Sequence, residues 1–156
     1  MKKLLMVACL FVFSGLSNAA EEGFALTGKG EFFKAGPHKS LNLKNEVTLE
    51  AWIKASKMDG GGGRILDKSQ SGTSEGYMLD THPGNSLRFL NLNGMCRFDA
   101  NLPADKWTHV AGVYSASKKV MKLYMDGKEV ASLAGKFPEM SSANVPLCVG
   151  SNPGGG

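Results

Sequence analysis

The chain has 156 residues, 42% of them hydrophobic and 21% charged, with a formal net charge of +4. That is one domain's worth of sequence with enough apolar material for a core. It excludes a disordered chain, a coiled coil and a cysteine-dense miniprotein.

Chain order begins with a leader. Met1-Lys2-Lys3 is a short basic start, residues 4–16 (LLMVACLFVFSGL) form an uncharged apolar run of 13, and Ser17-Asn18-Ala19 places small residues before a cleavage point. This is the pattern of a secretory signal peptide over residues 1–19, which predicts cleavage near Ala19 and a secreted or periplasmic protein. A spanning helix needs about 20 apolar residues, so no membrane insertion is expected once the signal is removed. Without Lys2 and Lys3 the balance falls to 16 basic against 14 acidic residues. No nucleic-acid partner follows from that, and Lys118, Lys119 and Lys122, beside a turn, read as a solvated hairpin tip.

The remaining residues, 20–156, read as strands with almost no helix. Residues 24–33 (FALTGKGEFF) alternate around two glycines and predict an opening strand with a bend; Gly36-Pro37 is a turn. Residues 47–54 (VTLEAWIK) put Val47, Leu49, Ala51 and Ile53 on one face and Thr48, Glu50, Trp52 and Lys54 on the other, a half-buried strand. Residues 59–63 (DGGGG) predict a loop. Short strands follow at 64–67, 76–80 and 86–92, the last two separated by Thr81-His82-Pro83-Gly84-Asn85, a turn by its own chemistry. Residues 107–114 (WTHVAGVY) alternate again. Residues 120–125 and 128–133 flank Asp126-Gly127, a type I′ hairpin signal, and 145–149 is the last strand. Turn residues every 8–12 positions predict an all-β sandwich or barrel.

Two cysteines, Cys96 and Cys148, remain after the leader. In an oxidising compartment an even pair invites a disulfide, worth about 3–4 kcal/mol for so long a loop; two unpaired buried thiols is the other reading.

Four motifs occur in a telling order: Glu50-Ala51-Trp52-Ile53, Gly76-Tyr77-Met78-Leu79, Trp107-Thr108-His109-Val110-Ala111 and Leu123-Tyr124-Met125-Asp126-Gly127-Lys128. Together with residues 26–29, 40–43 and 144–150, this order resembles the laminin-G-like jelly roll of the concanavalin A-like lectin/glucanase superfamily, over roughly residues 24–152. The resemblance implies an antiparallel two-sheet jelly-roll sandwich. It also implies a closing strand after Gly150, which residues 151–156 (SNPGGG) do not supply. The expectation is a domain lacking that strand, with one sheet edge left bare, and with further domains beyond Gly156 if the chain is a fragment.

The same fold hosts glucanases that carry two glutamates as Glu-x-Asp-x-x-Glu on one strand, the spacing that retaining chemistry requires. Glu50 is followed by Ala51, Trp52, Ile53 and Lys54, with no partner carboxylate, and no nucleophile, metal or phosphate motif occurs elsewhere. No enzymatic activity is expected. The resemblance implies a recognition domain with a glycan or extracellular protein as partner: a carbohydrate-binding module, an adhesion domain, or the accessory module of a larger secreted glycoside hydrolase. Rim loops would do the recognising, with Asp80, His82, Asn85 and the aromatic face of Trp52 as candidate ligand contacts. Packing is the competing reading for Trp52 and Trp107, and a structural role the competing one for His109. Relatives with this fold bind Ca2+ through loop oxygens, which nominates Asp59, Asp80 and Asn85 as calcium ligands; ordinary turn capping is the alternative.

Overall fold

A computed structural model describes residues 23–27, 29–55, 62–70, 73, 75–91, 93–141 and 143–154. The expected leader at 1–19 and the candidate ligand Asp59 lie outside the described residues. Ten strands form: β1 (Phe33–Ala35), β2 (Glu46–Lys54), β3 (Arg64–Ser69), β4 (Gly76–Asp80), β5 (Leu87–Asn91), β6 (Gly94–Phe98), β7 (Trp107–Ser115), β8 (Val120–Met125), β9 (Lys128–Ala134) and β10 (Leu147–Val149). One 3-10 turn, Lys39–Leu41, precedes β2. Among the described residues no helix is long and apolar enough to cross a membrane.

The strands make two sheets, in the orders β1-β10-β3-β4-β5-β6 and β2-β7-β8-β9. Every ladder between named strands is antiparallel, and the chain crosses between sheets after β1, β2, β6 and β9, as in a jelly roll. The expected fold class is present. Period-two alternation explains the core: Val47 and Leu49 of β2, Val110 and Tyr114 of β7, and Met121 and Leu123 of β8 face Leu66, Leu79, Leu87 and Phe89 of the other sheet, all at 2% exposure or less.

Local chemistry accounts for the differences from the expected strands. The opening strand shrinks to three residues because Glu31 satisfies the preceding backbone itself, its carboxylate accepting from Thr27 N at 3.2 Å and Lys29 N at 3.0 Å. Strand β6 was not anticipated. It pairs with β5 from Asn91↔Gly94 to Leu87↔Phe98, after a tight turn in which Asn93 N donates to Asn91 Oδ1 at 2.9 Å. At Asp126-Gly127, φ is 49° and 75°, the two positive values that the hairpin required.

The expected Cys96–Cys148 disulfide is corrected by the topology. Both thiols are free and buried. Cys96 lies on β6 opposite the core residue Phe89, whereas Cys148 lies on β10 opposite Asp67, on the other face of the same sheet. Three strands separate β10 from β6, and four spacings of about 4.8 Å exceed the 4.4–6.8 Å Cα span of a disulfide roughly threefold.

One charge sits between the sheets. Lys68 of β3 pairs with the core residue Tyr77, is 1% exposed, and donates from Nζ to Ala143 O at 2.6 Å. Burial pushes its pKa down from 10.5. The unfolded chain therefore binds the proton that the folded chain gives up, and stability rises with pH from the lowered folded value towards 10.5. Cys96 and Cys148, raised by burial, act oppositely above 9.0. The melting temperature is expected to climb with pH below 9.0 through Lys68, and less steeply above it, where the thiols oppose the lysine. In Lys68→Met the climb should be blunted and the opposing fall above 9.0 kept, which calorimetry on both sides of that pH would check.

A candidate ligand cleft on the six-stranded sheet

Strand register alone brings three charged residues into line. Arg64 of β3, Asp80 of β4 and Arg88 of β5 are consecutive Cα partners across adjacent strands. They occupy the face opposite Leu79 and Phe89, so they point away from the core. Asp80 is nonetheless fully buried, because its neighbours close over it. Arg88 grips it bidentately, Nε donating to Oδ1 at 2.9 Å and Nη2 to Oδ2 at 2.6 Å. Arg64 Nη1 donates to the same Oδ2, and the His82 backbone N donates to Oδ1 at 3.4 Å. A carboxylate with two guanidinium forks is a strongly held, preoriented unit.

Below it on β3 lies Asp67, also fully buried. Its Oδ1 accepts from Ser69 N at 2.7 Å and Ser69 Oγ at 2.6 Å. Its Oδ2 sits 3.2 Å from Arg64 Nε but out of line, without a hydrogen bond. Burial, the largest influence, raises the Asp67 carboxyl above its ordinary value against the pull of Ser69 and Arg64.

Above the arginines the surface opens into a cleft of about 320 Å3, lined by Gly62, Gly63, Arg64, Asp80, His82 and Arg88. One wall is the end of the glycine loop, pinned to the end of β4: Gly63 N donates to Thr81 Oγ1 at 2.7 Å, and Thr81 N to Gly63 O at 3.0 Å. Gly62 holds φ at +68°, and a Cβ there would stand 2.1 Å from Thr81 O, so this position requires glycine. The other wall is the turn beginning at His82, whose bond to Pro83 is cis.

The residues expected to make contacts therefore separate. Asp80 and His82 share the cleft. Asn85 belongs to the same turn, but its side chain is spent on Leu102, Nδ2 donating to Leu102 O at 3.0 Å and Oδ1 accepting from Leu102 N at 2.7 Å. Trp52 is on the outward face of the other sheet, 49% exposed, its ring 5.4 Å from that of His109, whose Nε2 lies 3.6 Å from Glu50 Oε2. Neither Asp80, with both oxygens held by arginine, nor Asn85, with both amide atoms paired, offers the open hard-oxygen donors that calcium takes, so these two do not fit that ion. Among the described residues no group of three His, Cys, Asp or Glu is placed to hold a metal. Sequence reading missed Arg64, Arg88 and Asp67. Their signal was positional: each faces away from a neighbouring core residue on a strand flanking Asp80, which is visible only once the strands are paired.

A laminin-G-type family model, described as concanavalin A-like lectin/glucanases superfamily, matches residues 27–156. No curated protein sequence matches the chain. Among solved structures it is similar to mouse laminin alpha1 chain domains LG4-5, at 15% identity and a TM-score of 0.57, covering 78% of this chain and 31% of that one. The heptameric SAP-like pentraxin of Limulus polyphemus has 17% identity and a TM-score of 0.52, with coverages of 80% and 66%. The Ruminococcus gnavus IT-sialidase CBM40, bound to α2,3-sialyllactose, has 13% identity and a TM-score of 0.54, with coverages of 71% and 65%. The chain thus spans a third to two thirds of these relatives, and at such identities the likeness is one of fold.

Proposed function

The chain belongs to the concanavalin A-like lectin/glucanases superfamily, and from that premise we propose that it is a secreted, non-catalytic recognition domain that binds a glycan in the Arg64–Asp80–Arg88 cleft. The carrying observation is the arginine pair clamped on one buried carboxylate at the floor of an open cleft. Sugar hydroxyls and carboxylates need donors fixed in direction, and a fork already locked by Asp80 loses little freedom when a ligand arrives. The Arg64 side chain is 32% exposed and lines the cleft, and its hydrogen bonds to described residues all run through Nη1, which leaves the Nη2 donors for a ligand. The same network argues for binding without catalysis: Asp80 is buried and doubly ion-paired, so it is neither a proton donor nor a nucleophile for a substrate in the cleft. The CBM40 neighbour, titled as bound to sialyllactose, supports a glycan as the ligand class.

Retention on immobilised glycans, α2,3-sialyllactose among them, tests this. Arg64→Lys keeps a cation beside Asp80 but removes the planar fork. It should weaken binding by about 10- to 100-fold while the melting temperature moves little. No retention on a broad panel, or binding indifferent to Arg64→Lys, would remove the cleft from consideration.

A further inference from the structure

The two arginines of the cleft are held differently. Arg88 reaches Asp80 through both Nε and Nη2. Arg64 reaches it through Nη1, while its Nε lies 3.2 Å from Asp67 Oδ2 without pointing at that oxygen. A strand irregularity creates this second contact. Residues three apart on a regular strand face opposite ways, and the register shift between Arg64 and Leu66 turns Arg64 onto the outward face that Asp67 shares. Arg64 therefore stands between two carboxylates, both fully buried.

Asp67 is poorly satisfied as an anion. Its Oδ1 accepts twice from Ser69, whereas the buried Oδ2 accepts no hydrogen bond from the described residues. The polar and charged groups around it are Ser69 and Arg64 on β3, Asp80 on β4 and Cys148 on β10, with Lys34 of β1 beyond the thiol. Burial keeps the Cys148 thiol neutral below 9.0, and the Asp80 charge opposes ionisation of Asp67. A bare buried carboxylate oxygen is costly, and two changes relieve it here: a proton on Oδ2, or a turn of Arg64 that brings its Nε–H into line. The two are alternatives, since the proton removes the charge that draws the guanidinium. Burial also moves the exchange between them above 3.8, the ordinary value for the carboxyl.

On the reading of the cleft as a glycan site, we propose that Asp67 is its positioning residue: ionised, it competes with Asp80 for Arg64 and withdraws the fork, and protonated, it leaves the fork to the ligand. With Asp67 neutral, Arg64 stays on Asp80 and its Nη2 donors serve the cleft. With Asp67 charged, the guanidinium turns down onto Oδ2, and a second negative charge lies beneath any acidic sugar. Linkage makes the effect reciprocal. A ligand that engages Arg64 raises the proton affinity of Asp67, so binding takes up a proton and weakens as pH rises.

Nuclear magnetic resonance of the ligand-free protein, following Asp67 Cγ and Arg64 Nε across about pH 4 to 8, tests the switch without a variant. The two signals should move together with one midpoint above 3.8. Calorimetric titration with α2,3-sialyllactose should then show affinity falling about fivefold or more across that midpoint, with proton uptake on the acid side turning to none. Asp67→Asn, which imitates the neutral carboxyl, should abolish the fall that Asp67 causes; any slope contributed by His82, which also lines the cleft, persists in that variant. An Arg64 signal that ignores the titration of Asp67 overturns the proposal. So does an affinity that is constant with pH, or a slope that Asp67→Asn leaves intact. If no glycan binds at any pH, the glycan reading fails by itself, and the shared midpoint still decides whether Asp67 directs Arg64.

Discussion

Asp80→Ala is expected to cost about 3–5 kcal/mol of folding stability, because it leaves two guanidinium groups facing each other with no anion between them. Arg88 is the more exposed to this loss, since both of its short contacts, at 2.9 Å and 2.6 Å, end on Asp80. Arg64 retains Asp67 nearby at 3.2 Å. The isosteric Asp80→Asn keeps one acceptor and the shape but removes the charge, so it should fall between wild type and alanine. Removing the whole network at once gives the opposite expectation. Arg64→Met, Asp80→Leu and Arg88→Met together remove the clamped anion with both of its cations and leave only Asp67 without its ion-pair partner, so they should recover part of the stability lost in Asp80→Ala while glycan binding stays abolished. Urea unfolding of the three variants decides it. If Asp80→Ala melts like wild type, the buried carboxylate does not organise the cleft, and the preoriented-fork argument for binding loses its basis.

What could be read from the residues was local. The alternation of β2 and β7 marks which side chains enter the core, and Asp126-Gly127 marks a turn, because in each case the physics is confined to residues a few positions apart. The motif order extended that to the whole fold. Register and sheet order are different quantities. Arg64 and Arg88 are 24 positions apart and meet only because both strands pair with β4. The same global order forbids Cys96 to reach Cys148, a pairing that chain chemistry alone permitted. Asp80 was readable as a residue beside a turn, yet its actual role, an anion enclosed by two cations, depends on partners that no spacing rule connects to it. Asn85 illustrates the reverse. Its amide is a candidate ligand contact by residue type alone, and in the fold it serves the backbone at Leu102 as Asn side chains in turns commonly do.

Gly112→Val separates strand propensity from packing, since the two predict opposite signs. Gly112 is in the middle of β7, between Leu49 and Leu123 on the inward face. Valine is a better strand former than glycine, and propensity alone would make the substitution stabilising. The other sheet says otherwise: a Cβ at this position would stand 2.6 Å from Phe89 Cδ2 and 2.9 Å from Phe89 Cβ. The ring of Phe89 occupies the slot that the glycine leaves, and the two sheets approach through it. Forcing a branched side chain into that slot should cost about 3 kcal/mol or more, by displacing a fully buried ring or prising the sheets apart. Phe89→Leu in the Gly112→Val background should return part of this and no more, because the Cβ of residue 89 is itself too close and remains in the double variant. A coupling energy of about 1 kcal/mol in that cycle would locate the strain between these two residues. Additive losses would place it elsewhere in β7, and a stabilised Gly112→Val would mean that the sheets are not packed as closely at this point as the Phe89 contact requires.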